Sequence, residues 1–513
     1  MLDVDGFTPS EAPAMAQDAV SDFRPVQGGG FALRPGARKV PTLPRGQDGG
    51  GLALRVPPVM LAQAADAKPV DPTVRRPPDK PSPSGFGRVK NYTTPALEIL
   101  GFEGLLNVFD RRFMNASGDY SSNVTSTRNN LHGGWVNDND PYKINQIGPP
   151  YQGSMYHGFA RSAGLSYWES AGYTFAGSAL WETAGERTPP SQNDQIASGI
   201  AGSFFGEALF RMASLVLEQG GGMTPAWREW AATAISPTLG FNRRLMGYDT
   251  VFSSNGAPYY SRLAIGASGE TQSNPGAATR LRPTEILADF SLDYGMPGLP
   301  GYDYSRPFDY FTFQATASSA NLVENLMTRG LLYGKAYEAP SDTRGIVGLY
   351  GSYDYIAPQT YRISSTALSL GTTAQTSLRK DVILQGTALL GVGYAAVGTS
   401  HGLTEGDYHY GVTPQALLAL RLIFGDKAAI DLTTREFFVS SVGGSTAGRD
   451  NIIRTDLAAT WRIQGHHAVS LRYLWNRRDA SYPNLGDRTQ SRATVGIYYT
   501  LLGDDHFGAV FWH

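Results

Sequence analysis

From Tyr259 to His513 the chain runs as a succession of short segments in which apolar and polar side chains alternate, with turn residues between them. In one run Ile453, Thr455, Leu457, Ala459, Trp461 and Ile463 alternate with Arg454, Asp456, Ala458, Thr460 and Arg462; in the next, Val469, Leu471, Tyr473 and Trp475 alternate with Ser470, Arg472, Leu474 and Asn476. Successive side chains of a strand point to opposite faces, so each run makes one apolar, aromatic-rich face and one polar face that repeatedly carries charge. That is the signature of a transmembrane β-barrel, greasy outside and wet inside. A soluble sandwich also alternates, but it has no reason to bring arginine and aspartate back on the same face of strand after strand.

Thirteen candidate strands follow, near 259–268, 284–294, 308–317, 323–337, 344–356, 361–371, 381–398, 407–424, 427–440, 452–464, 467–477, 490–502 and 506–512. Single-chain bacterial barrels have even strand numbers. Twelve antiparallel strands are therefore expected, with fourteen the alternative; either 259–268 lies outside the barrel or 240–248 adds a strand. Two terminal segments, Thr494-Val-Gly-Ile-Tyr-Tyr-Thr-Leu501 and His506-Phe-Gly-Ala-Val-Phe-Trp-His513, both resemble the strand that barrel-insertion machinery reads. A turn at 503–505 is expected to join them as a hairpin.

Composition excludes several classes. A formal net charge of -2 rules out binding driven by nucleic-acid phosphates, and zero cysteines remove disulfides, thiol catalysis and Cys-ligated metals. No run of about 18 uninterrupted apolar residues occurs, so a spanning helix is not expected and a barrel is the membrane-spanning option. No cofactor is predicted. The expected partners are outer-membrane lipid, the insertion machinery, and a small-molecule or lipid ligand.

Upstream, residues 1–90 are rich in proline with glycine runs and read as a disordered arm; residues 51–64 end in Ala-Gln-Ala and read either as a degraded export signal or as plain disorder. From Pro95 to Phe113 the positions Leu97, Leu100, Leu105, Val108, Phe109 and Phe113 recur at helical spacing. This amphipathic helix is expected to pack its apolar face on the following domain, with insertion into lipid as the alternative. Residues 118–140 read as a polar loop. Helices over Tyr156–Glu186 and Ile196–Glu218, rich in glycine and alanine, complete a helical domain at 91–238 that would plug or cap the periplasmic mouth of a barrel at 239–513.

The helical domain also holds the candidates for chemistry. Glu182 and Glu186 stand four apart, and so do His157 and Arg161; on one helix each pair would share a face. Two adjacent carboxylates need cations, a shared proton or water once buried. Three arrangements satisfy them: a packing network with Arg161, Glu169, Glu207 and Arg211; a hydrolytic site using a glutamate, His157 and Ser191; or a divalent metal on Glu182, Glu186 and His157. Ser191 also reads as a helix cap with Asp194 three residues on. In the barrel, Glu285, Asp289, Asp293, Arg435, Arg454, Asp456, Arg462, Arg472 and Arg492 are expected inward, as a salt-bridged filling or a selective pore.

The stretch Tyr151-x-Gly-Ser-x-Tyr-His157, with Trp181-Glu-x-x-x-Glu186 and Pro190-Ser-x-Asn-Asp194, resembles a bacterial envelope family known only as a domain of unknown function. The resemblance covers roughly residues 140 to 300 and implies location and architecture without an activity. It departs from the family pattern at Pro149-Pro150, where members carry His-Pro, which removes a histidine-pair site. The function expected is that of an outer-membrane barrel in transport, passage or structure. The alternative is an envelope enzyme acting on lipid or glycan.

Overall fold

The computed structural model describes residues 90–113, 118–137, 141–220, 222–248, 251–276, 281–399, 408–441, 448–482 and 486–512. The arm to residue 89, with its export-like segment 51–64, lies outside the described residues.

Twelve antiparallel strands close on themselves: β1 Tyr259–Asn274, β2 Thr284–Tyr294, β3 Phe311–Ser318, β4 Asn325–Ala339, β5 Thr343–Ile356, β6 Tyr361–Arg379, β7 Val382–Thr399, β8 Tyr408–Phe424, β9 Ala428–Ser441, β10 Arg449–Gln464, β11 His467–Tyr482 and β12 Gly486–Leu502. The barrel closes by pairing β1 with β12, Ile265 opposite Tyr499. The segment 259–268 thus belongs to the barrel, and 240–248 is the end of a helix. The surplus candidate is 506–512. The expected terminal hairpin does not form, because beyond Leu502 the chain turns into the lumen. There Val510 N–H donates to Gln375 Oε1 (3.0 Å) and Gln385 Nε2 donates to the Gly508 carbonyl (2.7 Å). Phe507 and Val510 are buried beneath the strands.

Tight turns at 340–342, 380–381, 425–427 and 465–466 share the end of the barrel at which β1 begins and β12 finishes. This lower end is the periplasmic side of an outer-membrane barrel. Outward residues of β10 from Ile453 to Ile463, of β11 from Val469 to Trp475 and of β12 from Ala493 to Leu501 form an apolar belt above it. The inward residues stack in layers. An apolar upper layer holds Met327, Ile356, Tyr361, Ile363, Val397, Phe437, Val439 and Ile452, and a lower one holds Tyr260, Ile383, Ile423, Leu502 and Phe507. Charged residues fill the space between.

The helical block comprises α1 Thr93–Phe113, α2 Val124–His132, α3 Tyr142–Ser162, α4 Tyr167–Leu180, α5 Gln192–Ile196, α6 Gly202–Gln219, α7 Pro225–Ile235 and α8 Pro237–Leu245, with single π-type turns at Trp181–Gly185 and Ala197–Ala201. The expected loop 118–140 contains α2, capped by Asn123, which accepts from the backbone of Thr125 and Ser126. The long helix expected over 156–186 breaks at Gly164, whose φ of 91° only glycine holds without strain. Ser166 then opens α4 with a capping box to Glu169. Residues Gln192–Gln219 form one continuous helical run, mostly buried, long and apolar enough to cross a membrane. The search for an uninterrupted apolar stretch missed it, because serines, glycines, Glu207 and Arg211 punctuate it. This run crosses α3 at Gly153, where an added Cβ would fall inside the Ser198 carbonyl and force the helices apart.

The block does not plug the lumen. Every barrel residue it leans on has outward parity. Tyr353 donates to the Gln146 carbonyl (2.6 Å), Asn145 donates to Tyr408 Oη (2.8 Å), and Phe205 stacks on Phe313. The sequence neighbours Asp354 and Gln314 point inward, to Arg329 and Asp289. The lumen is already filled by strand side chains and the terminal tail, so the helices lie along the outer wall. Asn193 meets Tyr410 near the upper end of β8, while Gln219 and Met223 come to the lower turn at His466 and Gly503.

Candidate functional site

Three of the expected polar-network residues come together, joined by a histidine first considered for catalysis. Glu207, fully buried on α6, accepts from Arg161 Nε of α3 (2.7 Å) and from Arg211 Nε one turn on (2.8 Å), and meets His157 Nε2 at 3.1 Å. Arg211 continues to Asp309 (3.0 Å) on the β2–β3 loop, and Arg306 reaches the same carboxylate at 3.1 Å. Phe252 takes the faces of Arg161, Arg211 and Arg306 within about 5 Å, a shared aromatic surface for three cations. Among the described residues, three guanidiniums share two carboxylates here. Glu169 lies apart, held by Lys90 (2.8 Å), Tyr92 Oη (2.7 Å) and Ser166.

The candidates for hydrolysis or metal binding do not converge. Glu182 accepts from the Ser191 backbone N–H (2.7 Å), and Glu186 accepts from Trp181 Nε1 (2.8 Å) and Thr188. The two glutamates do not share a helix face, because the turn Trp181–Gly185 is π-type and Glu186 is already extended. His157 faces Glu207 and Thr174 instead. Ser191 caps α5 by accepting from Asp194 N–H. Among the described residues no cluster of three His, Asp or Glu side chains is placed to hold a metal ion.

All nine expected lumen residues face inward. Asp293 pairs with Arg421 (2.9 Å), Glu285 with Arg492 (2.5 Å), and Asp456 receives Arg472 Nε at 2.8 Å, with Asp289 3.5 Å from the same guanidinium. Arg454 donates to Asn476 (2.9 Å), Arg462 donates to the Asp504 carbonyl, and Arg435 lines the central space. Their partners Arg262, Arg421, Asp431, Arg329 and Asp354 were not among the expected residues, although their parity on β1, β8, β9, β4 and β5 marks them. What remains open at the centre is a cavity of about 170 Å³ lined by these ions.

A larger cleft, about 960 Å³, lies between the helical block and the outer wall. Arg161, Arg211 and Arg306 line it with Lys335 of β4, and its other walls are Trp168, Tyr333, Leu332, Val347 and Leu370. Trp168 stacks on Tyr333 at 5.3 Å across it. Below the block, α7 and α8 carry exposed Trp227 and Trp230, with Arg244 over the Trp230 ring at 4.1 Å. The Glu229–Arg243 ion pair (2.6 Å) beside them holds the Glu229 carboxyl below the usual range, chiefly through the hydrogen bond from Arg243.

The closed strand order, outward apolar belt and charged interior define an outer-membrane-type β-barrel with a helical block before it. Residues 134–238 match the family described as Domain of unknown function (DUF3943). No curated protein matches the chain. Solved structures similar to part of it include NanC porin (6% identity, TM-score 0.24, covering 46% of this chain and 98% of that one). Others are the translocator domain of autotransporter NalP from Neisseria meningitidis (13%, 0.21, 48% and 88%) and an anion-selective porin from Comamonas acidovorans (10%, 0.21, 48% and 99%).

Proposed function

We propose that this protein handles an acylated, anionic membrane lipid in the cleft between its helical block and its barrel, the barrel serving as anchor and wall. The observation that carries the reading is the cleft itself: arginines at one side, and at the other the lipid-facing surface of β4–β6, where Tyr333, Val347 and Leu370 are exposed. Its volume falls within the usual range of a ligand site. The arginines and Lys335 suit a phosphate or carboxylate head, and the apolar wall suits acyl chains. The filled lumen argues against passage through the barrel. The histidine–glutamate pair lies in a fully buried network outside the cleft lining, so it supports positioning of the arginines.

The test uses delipidated protein in neutral detergent, titrated with phosphatidylglycerol and, separately, phosphatidylcholine. The anionic lipid is expected to bind more tightly. Lys335→Gln is expected to weaken it about fivefold, since one basic side chain at a membrane surface is worth about 1 kcal/mol toward anionic lipid. Equal affinity for the two lipids in the native chain would refute the reading.

We also infer that β12 is the strand read by the insertion machinery. It ends the sheet with outward Val495, Ile497, Tyr499 and Leu501, and the tail beyond it folds away. Tyr499→Ala is expected to slow machinery-assisted assembly while leaving spontaneous folding into liposomes at its native rate. Equal slowing of both would make Tyr499 a packing residue only.

A further inference from the structure

The polarity of the helical block is inverted relative to a protein domain surrounded by water. On α1 the three carboxylates point inward, while Leu97, Leu100, Leu105, Val108 and Phe109 point out; Leu105 is 73% exposed and Glu103 8%. From Pro95 to Asp110 the outward surface of this helix carries no charge, because Glu98, Glu103 and Asp110 are its only ionisable residues and all are buried. The next outer helix repeats the pattern. Ser170, Thr174 and Ser178 of α4 are buried, and Trp168, Gly172, Phe175 and Ala176 face out. A helix packing in water turns these faces the other way.

Four hydroxyls inside the block are satisfied within their own helices, which removes their need for solvent. Thr174 donates to the Ser170 carbonyl, Ser162 to Gly158, Ser203 to Gly199 and Ser214 to Phe210, at 2.6 to 2.8 Å. Charge on the outside gathers at the two ends. Arg111 and Arg112 stand at the upper end of α1, and Arg228, Arg243 and Arg244 stand with Trp227 and Trp230 around α7 and α8. Tryptophan with arginine is the composition of a membrane interface.

Dimensions and position agree. α1 and α3 have 21 residues each, about 30 Å of helix, the thickness of a hydrocarbon layer. The 28-residue run Gln192–Gln219 passes from the rim at Tyr410 to the lower turn at His466, alongside the barrel's own apolar belt. The outward face of the block is continuous with lipid-facing barrel surface: Trp168 lies on Tyr333, which is itself exposed on β4.

We infer that the helical block lies in the bilayer, docked on the flank of the barrel, with the outer faces of α1 and α4 in contact with hydrocarbon. A barrel carrying helices at bilayer depth needs every helix backbone group satisfied internally, and continuous helices meet that condition. The inference stands whether or not the cleft binds a lipid, because the outward face of α1 and Phe175 of α4 lie outside the cleft, which shares only Trp168 and Tyr333 with the surfaces named here.

The chain contains no cysteine, so single cysteines report without background. Leu100→Cys, Leu105→Cys and Phe175→Cys would each carry an environment-sensitive NBD label in the full chain reconstituted in liposomes. Leu457→Cys on the barrel belt and Asp303→Cys on a lower loop serve as references. Correct folding of each variant is established by heat-modifiable migration. The three helical labels are expected to emit at the blue-shifted wavelength of the Leu457 label. They should be quenched to the same extent by lipids brominated at mid-chain, and should resist a membrane-impermeant thiol reagent before labelling. Emission and reactivity like those of the Asp303 site would place the block in water and overturn the inference. So would labels that are protected but not quenched by brominated lipid, which would show a second copy or another protein covering the face.

Discussion

Replacing Glu207 with glutamine is expected to destabilise the helical block by about 3–5 kcal/mol, the cost of breaking a fully buried ion pair from one side. Glu207 is the point at which α3 and α6 are tied together: Arg161 and His157 reach it from one helix and Arg211 from its own. A glutamine keeps the shape but removes the anion. Arg161 then loses its two-point contact with that carboxylate, and Asp309 already answers Arg211 and Arg306. The measurement is equilibrium denaturation in detergent, followed by the tryptophans of the block. Glu169→Gln is the control. Glu169 is a partly exposed carboxylate paired with Lys90, and its loss is expected to cost under about 1 kcal/mol. Replacing Arg161 by methionine together with Glu207 by leucine should recover part of the loss, since an apolar pair can substitute for a buried ionic one. A Glu207→Gln variant as stable as the native chain would mean that the network is solvated and does not hold the helices.

Different physical signals governed how much of this could be read from sequence. Barrel side-chain direction follows from a period of two, so the inward residues from Glu285 to Arg492 were placed by counting, and their unseen partners lay on the same parity. Periodicity also found α1 nearly to the residue. It put the helix the wrong way round, however, because spacing tells which side chains share a face and not which medium that face meets. An expectation drawn from water sent Leu100 and Leu105 inward, and the structure sends Glu98 and Glu103 there. The same bias hid the spanning character of Gln192–Gln219, expected as a helix over Ile196–Glu218, because its apolarity is diluted by the polar residues it turns toward the interior. The Glu182–Glu186 pair failed for a local reason: a single π-type turn rotates the chain between them, which an ideal helix does not anticipate. The tail at 506–512 has strand-like alternation, yet its backbone partners are Gln375 and Gln385, more than 120 residues earlier. Nothing local in the sequence distinguishes those two glutamines from any other inward polar residue.

Planar bilayers containing the intact protein are expected to show no stepwise ionic current. Strand number alone does not decide this, because twelve strands fall between small barrels filled by side chains and the wide water-filled porins. The side chains decide it. Ions crossing from below would meet the tail seated under Phe507, then the layer in which Arg421 binds Asp431 and Asp293 and Arg262 binds Asp431 at 3.0 Å, then the apolar layer of Phe437, Val439 and Ile452. Each layer sets packed or paired side chains across that path. Deleting residues 503–513 is therefore expected to lower barrel stability by about 3 kcal/mol or more, through loss of the buried Phe507 and Val510 contacts, without opening a current. Heat-modifiable migration measures the first effect and single-channel recording the second. Conduction in the tail-less chain alone would identify the tail as the seal and the two upper layers as wet. A steady current in the intact chain would show that the paired arginines and aspartates line a path, and the transported species would then be sought inside the barrel and not on its flank.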